Sequence, residues 1–185
     1  MKRKNIVLIS IGVILVIAIV IRVVYINNKY PSPKNNVYTM DQELNYKDCI
    51  IKVLSYQVGS PEICKDVLDE YDYDHTFGES SAMANVGKKV VLVTVDVKNN
   101  SEDTFRPTSL QITSGNLHNG INMNLVTVFN KNGFSVKSDS ESQVILAYVF
   151  TENNVTSTKW NNFENEEFAL SCGDRNNHNL LMLNK

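Results

Sequence analysis

The sequence predicts a mainly β protein, a sandwich or barrel of short strands that follows one apolar N-terminal helix. One observation is a long apolar segment near the N-terminus. The other is a series of valine- and aromatic-rich segments from residue 37 onward, several with a period of two, separated by turn signals. Many short strands of this kind favour a sandwich or barrel over a parallel α/β sheet. The length of 185 residues fits one domain with an appendage.

The apolar segment runs from Ile6 to Ile26, and Arg22 is its one charged residue. A helix of this length spans about 31 Å, which matches a hydrocarbon core of about 30 Å. Basic residues at positions 2–4 precede it, and the positive-inside rule places that end in the cytoplasm. A cleaved signal peptide is disfavoured, because the apolar segment is long and no A-x-A pattern follows it. A lipoprotein is disfavoured because the first cysteine is Cys49.

These features predict a single-pass protein of the cell membrane, with a cytoplasmic N-terminus and an extracellular C-terminal domain. Pro31 and Pro33 favour an extended, semi-rigid segment between the membrane and the domain. The predicted parts are a cytoplasmic basic stub (1–4), a transmembrane signal-anchor helix (5–26), a spacer (27–36) and an extracytoplasmic β domain (37–185).

The charges are distributed unevenly along the chain. Residues 1–36 hold six of the 18 basic residues and no acidic residue, so 12 basic and 20 acidic residues remain, a formal charge of −8 for the rest. A domain this acidic is unsuited to nucleic acid, where cations that neutralise phosphates supply most of the affinity. We therefore expect no nucleic-acid partner, and the same argument disfavours binding to anionic lipid headgroups.

The clearest predicted strand is Lys88–Lys98, in which Val91, Val93, Val95 and Val97 fall on one face. Asn119-Gly120 and Asn132-Gly133 are turn dipeptides that predict a strand between them, over Ile121–Phe129. The imperfect alternation around Cys49–Ile51 indicates a bulge. Other predicted strands are Lys47–Val58, Gln143–Phe150, Phe168–Ser171 and Leu180–Leu183.

One short helix is predicted over Ser60–Tyr71. Ser60 is suited to cap it, Pro61 to its first position, and Glu62 to the positive end of its dipole. The acidic segment that follows, Asp72–Gly87, is predicted to be a loop.

Two stretches resemble the signature strands of a group of uncharacterised, telokin-like extracytoplasmic domains of Gram-positive cell surfaces. The first, KKVVLVTVDVKNNSEDTF (88–105), contains the pattern V-x-N-x-S, and the second is SDSESQVILAYVF (138–150). The resemblance covers about a fifth of the domain. It implies an immunoglobulin-like β-sandwich, here with one inserted short helix and preceded by one transmembrane helix. The group is of unknown function, so the resemblance implies no activity, ligand or site residue.

Three cysteines, Cys49, Cys64 and Cys172, form at most one disulfide. An extracytoplasmic location permits a disulfide, but a domain of this size does not require one. The pairs Cys49–Cys64 and Cys64–Cys172 and the alternative of buried free thiols all stay open. No C-x-x-C pattern or nearby histidine indicates redox or metal chemistry.

The sharpest local feature is the acidic run Asp69, Glu70, Asp72, Asp74, His75, which is the candidate interaction loop. Alternating carboxylates also suit calcium. As a calcium loop starting at Glu70, however, the run places His75 where glycine is needed and Ser81 where a bidentate glutamate is needed. We therefore expect no metal site.

Motifs of catalysis and cofactor binding do not occur in the sequence: there is no G-x-S-x-G, H-E-x-x-H or complete P-loop pattern. His75, His118 and His178 are isolated, and Trp160 is expected to fill the core rather than to form a ligand platform. The favoured hypothesis is a non-catalytic binding module without cofactors, whose partners are the membrane and an extracytoplasmic protein or surface component. The alternatives are an accessory subunit of a membrane complex such as a transporter and, less favoured, an extracytoplasmic hydrolase.

Overall fold

A computed structural model describes residues 3–30, 34–173 and 177–183, which form two packed β-sheets and several helices. Sheet 1 contains, in spatial order, β1 (Lys34–Tyr38), β9 (Asn177–Leu183), β8 (Phe168–Gly173), β5 (Gln111–Ser114) and β6 (Leu117–Asn119). Sheet 2 contains β2 (Leu44–Tyr46), β3 (Cys49–Gly59), β4 (Lys88–Asn99) and β7 (Ser140–Thr151). The helices are α1 (Arg3–Lys29), α2 (Glu70–Phe77), α3 (Met123–Phe129) and α4 (Ser157–Asn161). The prediction of a mainly β sandwich after an N-terminal apolar helix is confirmed.

The main core lies between the two sheets, and a second core lies on the outer face of sheet 2. Val91, Val93, Val95 and Val97 are fully buried in the main core, as their period of two predicts. The alternate residues of the same sheet, Val90 of β4 and Ala147 of β7, belong to the second core. There they are covered by the segment before α2, by α2 itself and by α3, through the buried side chains Cys64, Leu68, Phe77, Leu125 and Val126. The domain therefore has three layers.

The helix α1 contains the predicted anchor 5–26, and from Ile11 to Lys29 it is long and apolar enough to cross a membrane. Pro31 and Pro33 lie outside the described residues, and so does the part of the spacer prediction that rests on them. Residues 34–36, predicted as the end of the spacer, instead begin β1, which pairs in parallel with β9. Local sequence did not indicate β1 because the hydrogen bonds of this strand come from a segment more than 130 residues away.

The start of the predicted strand Lys47–Val58 is wrong by two residues. Lys47 and Asp48 have φ values of 51° and 59° and form the two-residue turn between β2 and β3. Positive φ at both central positions is the hairpin geometry whose twist matches that of the paired strands. The turn sets the register of β3, so that Cys49 and Ile51 both face the main core.

The predicted bulge at Cys49–Ile51 is also wrong. Cys49 and Ile51 pair in regular register with Asn99 and Val97, and the register shifts only between Val53 and Ser55. The intervening residue, Leu54, is 41% exposed. A bulge at this later position keeps both buried residues at the start of β3 on the core face.

The predicted strand Ile121–Phe129 is wrong, because Met123–Phe129 is the helix α3. The side chain of Asn122 caps the helix by accepting a hydrogen bond from Leu125 N at 3.1 Å. Leu125 and Val126 then pack into the second core on sheet 2. A short segment rich in apolar residues suits either structure, and the cap together with packing on β7 decided for a helix.

The predicted helix Ser60–Tyr71 is wrong in its position. Pro61–Cys64 forms one 3₁₀ turn, and Ser60 makes no capping bond to the backbone, since its hydroxyl bonds the carboxylate of Glu62. The α-helix begins after Asp69, which accepts a hydrogen bond from Asp72 N at 2.7 Å. The first part of the predicted loop Asp72–Gly87, up to Phe77, is therefore helical, and the rest forms turns and bends.

The fully buried side chain of Asn99 joins several segments at the end of the molecule where β3 begins and β4 ends. Its Nδ2 donates to the carbonyl oxygens of Asp103 (2.7 Å), Val136 (3.0 Å) and Lys137 (3.1 Å). Its Oδ1 accepts from the backbone N and the Oγ of Ser101, and from Sγ of Cys49. Asn99 and Ser101 are the N and S of the V-x-N-x-S pattern, which thus has a structural role here.

The substitution Asn99→Ala should lower the free energy of unfolding by about 2–4 kcal/mol, because it removes several hydrogen bonds of one fully buried side chain at once. Asn100→Ala is the matched control: Asn100 is exposed and its backbone N–H donates to Asp48 O, a bond that the substitution keeps. Denaturant unfolding of both variants measures the difference. Equal midpoints for the two would contradict the structural role of Asn99.

Candidate functional site

The predicted interaction residues lie on or next to α2, and several of them are engaged within that helix. Asp69 caps its N-terminus, and Asp74 Oδ1 accepts from Glu79 N at 3.0 Å after its C-terminus. Hydrogen bonding from the Ser80 side chain holds the pKa of Asp74 below its usual value. His75 Nδ1 lies 2.9 Å from Tyr71 O. Glu70 and Asp72 lie in the first turn, where the helix dipole favours negative charge.

An open cleft of about 490 Å³ lies between α2 and α3. Asp72 and His75 line it from α2, and Asn124 and Thr127 line it from α3, over an apolar floor that includes Leu125. The structure therefore brings two of the predicted residues into a concave site. The α3 side of this cleft was missed in the sequence, because that segment was predicted to be a strand.

Large exposed apolar side chains adjoin the residues that line the cleft. Val67, Met83 and Met123 are chain neighbours of lining residues, and the ring centroid of Tyr71 lies 3.9 Å from that of His75. Their exposed fractions are 38% for Val67, 68% for Tyr71, 52% for Met83 and 46% for Met123. We call the cleft together with these four residues the α2–α3 surface. Residues 60–87, which form most of it, contain seven acidic residues and one lysine. The surface is therefore both apolar and strongly acidic.

Within residues 3–30, 34–173 and 177–183, no three His, Cys, Asp or Glu side chains are placed to hold a metal ion together. The acidic residues of α2 project around a helix rather than around a loop, so the alternating carboxylates do not converge as a calcium loop requires.

A second cleft, of about 470 Å³, lies at the end of sheet 1 and contains a polar cluster. Ser114 Oγ donates to Glu166 Oε2 at 3.0 Å, and Lys159 Nζ donates to Ser114 O at 3.0 Å. Lys159 Nζ also lies 3.5 Å from Glu166 Oε2. Gly115, with φ of 57°, would hold an added Cβ 3.0 Å from Lys159 Nζ, so the glycine allows this approach. The hydroxyl of Ser114 is buried and already bonded, so the cluster ties α4 to the turn after β5.

Trp160 is half-buried at the edge of the main core. Its ring centroid lies 6.0 Å from that of Phe163, which is fully buried and in turn contacts Phe150 and Phe168. The position fits the expectation that this tryptophan packs against the core.

All three cysteines are buried and free in the structure. Cys49 and Cys172 lie in the main core, whereas Cys64 lies in the second core on the other face of sheet 2. Burial raises the pKa of the Cys64 and Cys172 thiols to about 11, and burial also raises the pKa of Cys49. Protonated, buried thiols are poor nucleophiles.

We expect the native protein to react with iodoacetamide at pH 8.5 far more slowly than the same protein in denaturant. An unfolded thiol ionises near pH 8.5, whereas Cys64 and Cys172 ionise near 11 in the fold. Because the folded pKa is raised, the fold loses stability as the pH rises from about 8.5 towards 11. Mass spectrometry of alkylated protein measures the reaction, and denaturant unfolding between pH 8.5 and 11 measures the stability. A native protein that lacks three free thiols after denaturation would contradict the free state.

Solved structures of three bacterial proteins are similar to this chain. An uncharacterised β-sandwich protein of Clostridium difficile 630 has a TM-score of 0.46 at 11% identity, covering 83% of this chain and 97% of that one. A functionally unknown protein of Listeria monocytogenes EGD-e has a TM-score of 0.43 at 11% identity, covering 70% of both chains. A conserved hypothetical protein of Bacillus anthracis has a TM-score of 0.40 at 10% identity, covering 72% and 87%. These low scores carry no functional argument.

No curated protein matches the chain. A family model does match it, over residues 35–173, from the second residue of β1 to the last residue of β8. This match takes in all of sheet 2, sheet 1 apart from β9 and the first residue of β1, both helices of the second core and all residues of the α2–α3 surface. On this match the chain belongs to the family described as domain of unknown function DUF5028.

Proposed function

We propose that this chain is a membrane-anchored, non-catalytic binding module, whose domain lies outside the cytoplasm and recognises a partner through the α2–α3 surface. The observation that carries the proposal is that Tyr71, Met83 and Met123 are about half exposed or more beside a cleft. Exposed apolar groups that border a polar cleft are typical of interaction sites. Methionine side chains adapt to the shape of a partner.

The charge of the α2–α3 surface indicates the chemistry of that partner. Seven acidic residues and one lysine over residues 60–87 favour a segment that carries lysine or arginine together with apolar side chains. An acidic surface also disfavours nucleic acid and anionic lipid as partners.

The location rests on α1 and on the basic residues before and within it. The apolar length from Ile11 to Lys29 suits a bilayer, and the basic residues at positions 2–4 favour a cytoplasmic N-terminus. The domain then lies outside the cytoplasm, as the resemblance to telokin-like domains of Gram-positive cell surfaces also implies. The non-catalytic assignment is supported by the sequence, which contains no G-x-S-x-G, H-E-x-x-H or complete P-loop pattern.

A photo-crosslinking residue placed at Tyr71 should capture a specific protein in the native cell, and the same residue at Val37 should not. Val37 is the matched control, since it is 62% exposed but lies on β1 in the other sheet. The double substitution Met83→Ser and Met123→Ser should lower the yield at Tyr71 at least tenfold, by removing apolar contact area. Equal capture from both positions, or from neither, would refute the use of this surface.

Replacement of α1 by an unrelated single-pass helix of the same orientation should leave the crosslink at Tyr71 intact. The reason is that the proposed contacts belong to the domain and α1 only holds it at the membrane. An accessory subunit whose anchor contacts other membrane helices would instead lose its partner on this exchange. The crosslink yield, normalised to the amount of protein in the membrane, separates these two functions.

A further inference from the structure

The strand β7 forms one edge of sheet 2 and is twelve residues long. Its sequence, SESQVILAYVFT, becomes apolar from Val144 onward. A long apolar edge strand presents unpaired backbone groups and is a template for pairing with another chain.

Three asparagines cover the outer edge of β7. Asn130 pairs with Ile145 as a strand would, since Ile145 N donates to Oδ1 at 2.9 Å and Nδ2 donates to Ile145 O at 2.8 Å. Asn122 donates its backbone N–H to Ala147 O at 2.7 Å. Asn119 Nδ2 donates to Val149 O at 2.6 Å. We call Asn119, Asn122 and Asn130 the β7 edge cap.

Asn119, which belongs to the β7 edge cap and ends β6, is followed by Gly120. An asparagine loses its side-chain amide most readily when glycine follows it. Gly120 is exposed, and an added Cβ there would meet no heavy atom within 4 Å. The strand β6 has only three residues and lies at the edge of sheet 1, with β5 as its one neighbour in the sheet order. The backbone N of Gly120 is thus approachable, and the strand that holds Asn119 is short enough to open locally.

We propose that Asn119-Gly120 is a spontaneous deamidation site, and that its conversion opens the β7 edge cap. The backbone N of Gly120 bonds to Cγ of Asn119, and the Cγ–Nδ2 bond breaks. Ammonia leaves with the Gly120 amide proton and a five-membered succinimide remains. Water then opens the ring at either carbonyl and leaves aspartate or isoaspartate. One water enters, one ammonia leaves, and no electron is transferred.

Either product removes the hydrogen bond to Val149. The donor Nδ2 is replaced by a carboxylate oxygen, so two acceptors face each other where Asn119 donated at 2.6 Å. Isoaspartate also lengthens the backbone by one methylene, which disturbs the pairing of Asn119 with Ile112 of β5. The end of β7 then exposes backbone groups to a second chain.

The chain contains an internal control, Asn132-Gly133, which is its other Asn-Gly dipeptide. Asn132 is exposed in the loop after α3 and does not belong to the β7 edge cap. Conversion there requires Gly133 N to leave its hydrogen bond with Asn130 O, which is 2.7 Å long. It should keep the side-chain bonds of the β7 edge cap to β7, because the side chain of Asn132 takes no part in them.

The test ages the full chain in detergent micelles at mildly alkaline pH and maps aspartate and isoaspartate by peptide mass spectrometry. We expect both products at 119 and at 132. Gly120→Ala and Asn119→Gln should each abolish the products at 119 and leave those at 132, because the first hinders the attack and the second would require a six-membered ring. Two variants are used so that the test can still be made if one of them does not fold. Conversion at 132 without any at 119 would overturn the proposal.

The consequence is measured on Asn119→Asp and Asn132→Asp. The first should show a lower denaturant midpoint and concentration-dependent self-association in sedimentation, and the second should match the parent protein. If Asn119→Asp does not fold, the aged fractions modified at 119 or at 132 only, separated by ion exchange, supply the same comparison. Equal stability and equal association of the two forms would overturn the proposal.

Discussion

The hydrogen bonds of Asn99 hold together the end of the molecule at which β3 begins and β4 ends. A single buried amide there bonds the backbone of Asp103, Val136 and Lys137 and the side chains of Cys49 and Ser101. Without the amide these segments would lose those hydrogen bonds, each with a net contribution of about 0.5–1.5 kcal/mol. The three carbonyl oxygens would keep one donor each, which is Ser101 Oγ for Asp103, Phe105 N for Val136 and Ser140 Oγ for Lys137. The junction lies where β3 and β7 begin and β4 ends, so it joins three strands of sheet 2 at one end of the molecule.

Asparagine side chains take the place of backbone in other parts of the fold as well. Asn130 pairs with Ile145 in the manner of a neighbouring strand, and Asn119 bonds Val149. An amide carries a donor and an acceptor in the same arrangement as the backbone, so it ends a sheet without adding a strand. This explains why α3, rather than a further strand, lies beside β7. The same solution makes the edge depend on a residue that is chemically labile before glycine.

One side of the helical layer on sheet 2 packs into the second core, and the other side forms the α2–α3 surface. Phe77 and Leu125 are buried in the second core, while Tyr71 and Met123 are exposed beside the cleft. Among the acidic residues, Asp69 is used to cap α2, whereas Asp72 faces the cleft. An acidic run in sequence is therefore part helix capping and part lining of the cleft.

The sequence by itself determined the elements that depend on local pattern. The apolar length of α1 and the period-two valines of β4 were predicted correctly, because both are patterns of residues that are neighbours in the chain. Two short motifs, through their resemblance to other domains of unknown function, also predicted the β-sandwich fold correctly. Only the tertiary structure decided β1, whose partner β9 is far along the chain, and α3, whose apolar residues suit strand or helix until β7 covers them. It likewise decided which acidic residues face a cleft, because that depends on where α2 begins, and there Asp72 N donates a hydrogen bond to the capping side chain of Asp69.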